Sequence, residues 1–367
     1  MKLLVVNTAP SRRNGITNVA FNLMKAIDKT DLQIGYVSIS DIADEYKQIL
    51  NDLHVKYCVL NRSIKNPFAY IRRLVTFAKG YDVIHVHGSS ATMVLEMLAA
   101  KIAGVPLRCA HSHSTSCSMK IIDNLMRPLF NYLCNGRLAC GKEAGEWLHG
   151  NSDFLIVNNG VDTQKFKFNP LKRKCIREKI GWDNNIIIAN IANFVDTKNH
   201  EFLIEVFHNL TKSKKSLRLM LVGGGPLLDR AKSQVQSLGI SDQVLFAGSV
   251  SNIPELLSAI DLIVMPSKFE GLPLTLVEEQ ANGLRAIVSD RVTKDADMTG
   301  HLTFIPLERG VEYWAEEILS QLNNYKERCE SDSSDSINLI KKSGFDIQDS
   351  ANDLKTFFVN KLQEIDG

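Results

Sequence analysis

Residues 262–283 read LIVMPSKFEGLPLTLVEEQANG, and this stretch decides the fold. The apolar run 262–264 predicts a buried strand, and Pro273 suits the first turn of a helix that ends before Gly283. The loop between them lies at a helix N-terminus, where unpaired amides and the helix dipole favour an anion. A strand, a loop and a helix in this order form one repeat of a parallel α/β sheet.

The same alternation extends over most of the chain in both directions. Short apolar runs rich in β-branched residues alternate with amphipathic stretches, as in parallel sheets covered by helices. Strands of a first series are predicted at 3–6, 35–39, 55–60, 83–86, 107–110 and 136–139. Strands of a second series are predicted at 186–191, 217–222, 244–246, 262–264 and 286–288. We therefore expect two parallel α/β domains.

A length of 367 residues also favours two hydrophobic cores. We expect an N-terminal domain at 1–165, a second domain at 166–345 and a final helix at 346–367 that packs back on the first domain. The basic segment 162–177 is interpreted as a solvated linker, and the Ser/Asp-rich segment 330–336 as a loop.

Composition excludes several classes of protein. Forty-three Lys and Arg against 41 Asp and Glu leave a formal charge of +2, so nucleic acid is not an expected partner. Seven scattered cysteines without C-x-x-C spacing argue against a disulfide framework or structural zinc and favour a reducing cytoplasm. No apolar run is long enough for a signal peptide or a transmembrane helix. A cytoplasmic location with peripheral membrane contact is expected.

Two glutamates of the deciding stretch are candidates for ligand binding. Glu270 lies in the loop and Glu278 inside the helix, and eight helical residues rise about 12 Å. A glycosidase pair needs carboxyl groups roughly 5 to 9.5 Å apart, so the spacing better suits two hydroxyl acceptors on one extended ligand. The amides of Gly271 and Leu272 would face an anion beside them. The alternative is that Glu278 is a solvated helix residue.

The stretch resembles the E-x7-E signature of retaining glycosyltransferases with the two-domain GT-B fold, in particular their large family 4. Four further segments resemble family motifs: NGVD at 159–162, KNH at 198–200, VGGGP at 222–226 and FAG at 246–248. The resemblance implies two facing Rossmann-like domains with an interdomain cleft. It implies that Glu270 contacts the donor sugar and Glu278 the ribose, with Gly224 in a donor-binding loop.

The resemblance also implies how charge is handled. Lys198 is expected to be the cation beside the donor diphosphate, where it stabilises the leaving phosphate. The family places an arginine five residues earlier, where this chain has Asn193. The loop 11–18 resembles the family's glycine loop, which lies near the donor phosphates and the acceptor. Gly15 lets the backbone approach the ligand and is an expected donor-binding residue. Arg12 or Arg13 could replace the missing positive charge.

Histidines cluster near two predicted strand ends, at His85, His87, His111 and His113. No acidic or thiol side chain of the sequence pattern completes a metal site with them. By the resemblance, His113 is an acceptor-side residue near the reacting sugar, and His87 and His111 shape the same pocket. His113, Lys198 and Glu270 are thus the expected catalytic residues.

No metal cofactor is expected. Asp295 and Asp297 spell the D-x-D of metal-dependent transferases with another fold, and the pattern is interpreted as chance because the surrounding chain resembles the metal-independent type. Positive charge and helix amides would then stabilise the departing nucleoside diphosphate.

The expected activity is retaining transfer of a hexose or N-acetylhexosamine from a nucleotide sugar, with UDP favoured, to a saccharide or lipid-linked saccharide in the synthesis of bacterial exopolysaccharide or capsule. The basic and aromatic segment 61–79 suits either a membrane-surface helix or ordinary packing. A nucleotide-sugar epimerase and an inactive sugar-nucleotide-binding subunit remain alternatives. An NAD dehydrogenase is disfavoured because no G-x-G-x-x-G follows the first strand.

Overall fold

The computed structural model describes residues 1–12, 14–62, 66–117, 119–250, 252–323 and 326–367. The strands are β1 (Lys2–Asn7), β2 (Gln33–Ser38), β3 (Lys56–Val59), β4 (Val83–Gly88), β5 (Leu107–Ser112), β6 (Gly136–Ala139), β7 (Leu155–Ile156), β8 (Ile186–Ile191), β9 (Leu217–Val222), β10 (Val244–Gly248), β11 (Leu262–Met265), β12 (Arg285–Ser289) and β13 (Leu302–Ile305). The helices are α1 (Gly15–Ala26), α2 (Asp44–Asp52), α3 (Pro67–Ala78), α4 (Val94–Ala103), α5 (Lys120–Leu133), α6 (Lys142–His149), α7 (Pro170–Ile180), α8 (His200–Ser213), α9 (Leu228–Ser237), α10 (Ile253–Ala259), α11 (Leu274–Ala281), α12 (Gly310–Asn323), α13 (Glu330–Lys342) and α14 (Ile347–Asp366).

The first of two compact units consists of Met1–Gly160 together with Ile347–Gly367. Its strands form one parallel sheet in the order β3-β2-β1-β4-β5-β6-β7. Side chains of α1, α2 and α14 bury one face of this sheet, and those of α3, α4 and α5 bury the other. The central strands are buried on both faces because helices cover both, and His85 and His87 of β4 are buried with the apolar residues. The last helix of the chain thus belongs to the first unit.

The second unit spans Val161–Asp346 and repeats the design. Its parallel sheet has the order β10-β9-β8-β11-β12-β13, with a core on each face. The predicted α/β class with two parallel sheets is confirmed. β7 and β13 were not predicted, because β7 has only two residues and β13 has only four.

Each sheet contains one topological switch point, where the order of strands along the chain reverses. In the first unit the switch lies between β1 and β4, and in the second it lies between β8 and β11. The loops that leave the carboxyl ends of such neighbouring strands form a crevice in which open α/β sheets bind ligands. The fold itself therefore directs attention to the loops after β1, β8 and β11.

Two local predictions were wrong. The supposed linker 162–177 contains most of α7, whose Arg173 and Arg177 are buried against Asp261 rather than solvated. The supposed loop 330–336 is the start of α13. Both segments look polar because their helices are held by hydrogen bonds and ion pairs more than by an apolar stripe.

The segment 61–79 forms α3 over its described part, and residues 63–65 lie outside the described residues. Tyr70, Leu74 and Ala78 of α3 are buried in the unit, so its apolar face is used in ordinary packing. In the described part of the chain, no helix combines the length and the apolar character needed to cross a bilayer.

Candidate active site

In the second unit, the loops after β8 and β11 are joined to each other at the switch point. The Lys268 amide donates to the Thr197 carbonyl at 2.7 Å, and the Asn199 side-chain amide donates to the Pro266 carbonyl at 3.1 Å. Asn199 adopts a left-handed backbone conformation with a φ of 58°, which asparagine tolerates better than most residues. These contacts place Lys198, which lies between Thr197 and Asn199, in one defined position.

Lys198 and Glu270 meet across these two loops. The Lys198 ammonium donates a hydrogen bond to Glu270 Oε1, and both side chains are largely but not completely buried. The Glu270 amide donates to the Arg291 carbonyl at 3.3 Å, which ties the glutamate to the turn after β12. Lys198 and Glu270 were both predicted to contact the donor. The fold brings them together although they lie 72 positions apart in the chain, and part of each side chain remains accessible to a ligand.

The loop between Glu270 and α11 presents free backbone donors. Gly271 is exposed, and the amides of Gly271 and Leu272 have no hydrogen-bond acceptor among the described residues. α11 begins at Leu274, directly after Pro273, so its first amides point the same way. An ammonium group, a carboxylate and unpaired amides thus lie together in two neighbouring loops, a set that suits a ligand with both phosphate and hydroxyl groups.

Glu278 lies one helical turn and more beyond these donors, inside α11. Its side chain is partly buried, and burial raises the pKa of Glu278 to about 7, an effect that the positive charge of Lys165 partly offsets. With this pKa, Glu278 is partly protonated at physiological pH. Hydrogen bonds from ligand hydroxyls would favour its charged form. The carboxylate is the form that accepts hydrogen bonds from both hydroxyls of a ribose.

Replacement of Glu278 by glutamine should change the pH dependence of stability. The folded-state pKa is raised above the unfolded value, so Glu278 reduces the free energy of unfolding progressively as the pH rises from about 4.5 through about 7. Glu278→Gln should therefore be more stable than the wild type at pH 8, by up to about 3 kcal/mol, with the difference vanishing near pH 4. Urea unfolding at several pH values measures this. A pH-independent difference would contradict the burial of the carboxyl group.

Asn193 and Gly224 lie in two loops that pack backbone to backbone. The Phe194 amide donates to the Gly224 carbonyl at 2.9 Å. A Cβ atom on Gly223 would lie 2.1 Å from the Ala192 carbonyl oxygen, and Gly223 has a φ of 140°. Glycine is required there by this close approach. The loops border the predicted donor site, and Asn193 contributes no charge to it.

One buried acid of α11 was missed by sequence reasoning. Glu279 is fully buried, and neither carboxyl oxygen has a hydrogen-bond partner among the described residues. Burial, with the neighbouring Glu278 as a second cause, raises the pKa of Glu279 well above its ordinary value. Sequence alone gives no sign that Glu279, next to Glu278, is buried, because a solvent-exposed glutamate at this position would give the same pattern.

In the first unit, a pocket of about 430 Å³ opens at the carboxyl end of β1. The loop after β1 lines it together with the start of α1, and His113 and Asn159 complete the wall. Asn14 organises this loop because its side chain accepts from the Thr17 amide at 2.9 Å and donates to the Pro10 carbonyl at 2.7 Å. The N-terminus of α1 thus faces the pocket, with Arg12 on its rim.

Gly15 and Arg12 therefore both line this pocket, as predicted for the glycine loop, whereas Arg13 lies outside the described residues. A Cβ atom on Gly15 would meet no atom of the chain within 4 Å. Nothing in the folding of the unit requires glycine at this position, so the space beside Gly15 is available to a ligand.

Gly15→Val should leave the fold intact and reduce activity. The added side chain projects into the pocket, so we expect kcat/KM for sugar transfer to fall by about tenfold or more, with an unchanged melting temperature. Gly141→Val is the matched control, because Gly141 has extended backbone, open space around its Cβ position and no part in the pocket. Equal losses in the two variants would argue against a functional pocket.

The four histidines form a block on one face of the first sheet. His87 pairs with His111 in the register of β4 and β5, and alternate residues of a strand share a face. His85 Nε2 and His111 Nδ1 are 3.1 Å apart, and His87 Nδ1 and His113 Nε2 are 2.9 Å apart. His87 and His111 are fully buried and do not line the pocket. Of the three predicted acceptor-side histidines, only His113 is placed to touch a ligand there.

Burial lowers the pKa of His113 to about 3, so the imidazole is neutral at pH 7. One nitrogen of the ring pairs with His87, and Nδ1 has no partner among the described residues. A neutral imidazole can either accept or donate one hydrogen bond through that free nitrogen, depending on its tautomer. His113 therefore supplies no positive charge, and its second ring nitrogen is buried away from solvent.

Two arrangements bear on metal binding. The ligand atoms of His85, His87 and His111 lie within 4.8 Å of one another, the one such cluster in the described part of the chain. Hydrogen bonds between the imidazoles use several of these nitrogens without an ion. Asp297 Oδ1 accepts from the amides of Gly300 and His301, so this half of the D-x-D pattern stabilises a turn.

Comparison with known proteins agrees with this geometry. The profile of the family described as "Glycosyltransferase Family 4" matches residues 13–165, and that of "Glycosyl transferases group 1" matches residues 172–331. A chain of Bacillus subtilis (strain 168) named as glycosyltransferase EpsF is 31% identical over 325 residues, which cover 83% of this chain and 84% of that one. The protein belongs to the family 4, group 1 glycosyltransferases.

Two further relatives of this glycosyltransferase are informative. An Escherichia coli UDP-Gal:alpha-D-GlcNAc-diphosphoundecaprenol alpha-1,3-galactosyltransferase is 29% identical over 227 residues, or 57% of this chain and 58% of that one. The crystal structure of Anabaena Alr3699/HepE in complex with UDP superimposes with a TM-score of 0.76 at 16% identity, covering 98% of this chain and all of that one. The second likeness shows that the glycosyltransferase has the GT-B fold.

Proposed function

We propose that this glycosyltransferase transfers a hexose or N-acetylhexosamine from a UDP-sugar to a lipid-linked saccharide, with retention of the anomeric configuration and without a metal ion. The product would serve the synthesis of a bacterial exopolysaccharide or capsule. The observation that carries the proposal is the contact of Lys198 with Glu270 beside the unpaired amides of Gly271 and Leu272.

The second unit is proposed to hold the donor. Free amides at the start of α11 and the Lys198 ammonium would bind the diphosphate, and Glu270 would accept hydrogen bonds from sugar hydroxyls. Glu278 would accept from the ribose, where its raised pKa makes binding dependent on pH. UDP is favoured because the E. coli relative is named for a UDP-sugar and because HepE was crystallised with UDP.

Lys198 would supply most of the charge stabilisation. Negative charge develops on the leaving diphosphate as the glycosidic bond breaks, and a fixed ammonium group in a partly buried site stabilises it without reorganisation. The pairing with Glu270 holds Lys198 in place before the donor arrives. Retention follows if the acceptor oxygen attacks from the face of the leaving phosphate, whose oxygen takes the acceptor proton, so that no protein nucleophile is needed.

The first unit is proposed to hold the acceptor, with Gly15, Arg12 and His113 at the pocket. The neutral imidazole of His113 would contact the acceptor as part of the pocket wall. The lipid-linked nature of the acceptor is proposed from the E. coli relative, whose named acceptor sugar is carried on diphosphoundecaprenol. Such an acceptor would bring the enzyme to the cytoplasmic face of a membrane.

A panel of UDP- and GDP-sugars, each with and without a polyprenyl-diphosphate saccharide, tests this function. We expect release of free UDP from one donor that depends on the acceptor and survives EDTA. The anomeric configuration of the product, read by NMR, tests retention. Glu270→Gln should abolish release while leaving the melting temperature unchanged, and Glu308→Gln, at an exposed ion pair, is the control.

Other outcomes distinguish the alternatives. Isomerised donor without acceptor consumption would indicate an epimerase, and UDP binding without turnover would indicate an inactive subunit. Loss of activity in EDTA, restored by a divalent metal ion, would overturn the proposal of metal independence.

A further inference from the structure

The outer face of α5 carries an apolar stripe that is exposed to solvent. Ile121, Leu125 and Tyr132 expose 86%, 75% and 79% of their surface, and Ile122 and Leu129 are about half exposed. At 100° per residue these five side chains fall within an arc of about 120° on one side of the helix. The opposite side is buried against the unit. A contiguous stripe of this size on a soluble protein indicates a binding surface.

The exposed charges on α3, α4 and α5 are all positive. α4 lies between α3 and α5 on the same face of the first sheet, and every residue of these three helices is described. Their acidic residues are Glu96 and Asp123. Both are buried, and they pair with Arg62 and Arg127 respectively. The exposed charged residues of the three helices are Arg72, Arg73, Lys101 and Lys120.

We propose that this α3–α5 surface docks on an anionic lipid bilayer, with α5 lying in the plane of the interface. Helices that bind in this way combine an apolar stripe with basic side chains and lack exposed acids. The four basic residues would contact lipid headgroups, while Ile121 and Leu125 enter the acyl region. Tyr132 suits the headgroup level, because its ring is apolar and its hydroxyl is polar.

A bilayer suits this surface better than a second copy of the chain does. Two copies that paired through the α3–α5 surface would bring like charges together without a facing acid. An anionic bilayer offers an apolar layer for the α5 stripe and negative charge for the basic residues. The choice of lipid also rests on the proposed lipid-linked acceptor, because α5 begins seven residues after His113, which lines the candidate acceptor pocket.

Sedimentation of the full chain with lipid vesicles tests the proposal in the absence of donor and acceptor. Vesicles of phosphatidylcholine alone are compared with vesicles that also contain phosphatidylglycerol. We expect binding to the anionic vesicles that weakens with added salt. The triple variant Ile121→Ser, Leu125→Ser, Tyr132→Ser should bind at least about tenfold more weakly. Leu171→Ser removes an equally exposed apolar side chain from α7 of the second unit and is the matched control.

The charge component has its own variant. Arg72→Glu with Arg73→Glu should reduce binding to anionic vesicles by about tenfold or more while the melting temperature stays that of the wild type. Two results would overturn the proposal: wild type that does not bind anionic vesicles, or a triple variant that binds them as the wild type does. A variant of the α3–α5 surface that no longer binds vesicles should still release UDP with a soluble acceptor analogue. This result would separate the membrane surface from the proposed chemistry.

Discussion

Lys198→Ala should lower kcat for sugar transfer by about 10² to 10³, with a much smaller effect on the dissociation constant for UDP. The ammonium group lies at the switch point of the second unit and pairs with Glu270, and in the proposed mechanism charge develops beside it on the leaving diphosphate. Removal of one preorganised donor of this kind costs mainly the transition state. Initial rates at saturating donor, together with calorimetric titration of UDP, separate the two effects.

Lys268→Ala is the control for this variant. Lys268 lies in the loop paired with that of Lys198 and forms an ion pair with Asp196 at 2.6 Å, but its side chain is half exposed and points to a different acid. We expect its rate to match that of the wild type. If Lys198→Ala were as active as Lys268→Ala, the assignment of Lys198 as the diphosphate cation would be wrong.

Asp261→Ala should lower the free energy of unfolding by about 3–5 kcal/mol. The carboxylate is almost completely buried and accepts from Arg173 Nη2 at 2.6 Å and from Arg177 Nη1 at 3.1 Å. It also accepts from the Ile187 amide at 2.8 Å, at the start of β8. The variant would leave the buried Arg177 guanidinium without its counter-ion, and Arg173 would keep the more exposed Glu327 as an ionic partner. Urea unfolding followed by circular dichroism measures the loss.

Glu255→Ala gives the comparison for a surface ion pair, because Glu255 of α10 pairs with Lys172 of α7. Lys172 and Glu255 approach to 2.6 Å, but both side chains are more than a third exposed, so we expect no measurable change in the denaturation midpoint. A loss as large as that of Asp261→Ala would show that burial does not distinguish the two pairs.

The sequence was most informative where the fold is repetitive. The strands that flank the switch points are continuous apolar runs, so their positions were predicted to within a few residues. Lys198, Glu270 and Gly15 were found through motifs, and the structure places the first two in the loops after β8 and β11 and Gly15 at the start of α1. Their roles in catalysis and binding stay predictions until the variants are measured.

The failures share a physical cause. α7 was taken for a linker because Arg173 and Arg177 are held by Asp261, which lies more than 80 positions away along the chain. α13 was taken for a loop because serine favours turns, yet Ser333 donates to the Ala281 carbonyl and accepts from the Phe168 amide. Partners so distant in sequence are invisible to a local pattern. Equally, burial of Glu279 and exposure of the α5 stripe depend on neighbours that only the folded chain supplies.

The position of α14 has a consequence for synthesis on the ribosome. This helix completes the core of the first unit with Leu354 and Phe358, although 186 residues of the second unit precede it. A nascent chain that has emerged only to residue 346 would therefore carry an incomplete first unit, with the site of α14 open to water or to a chaperone. We expect a chain ending at residue 346 to be cleaved by protease within 1–160 while 161–346 resists, and equal resistance of the two segments would contradict this order of assembly.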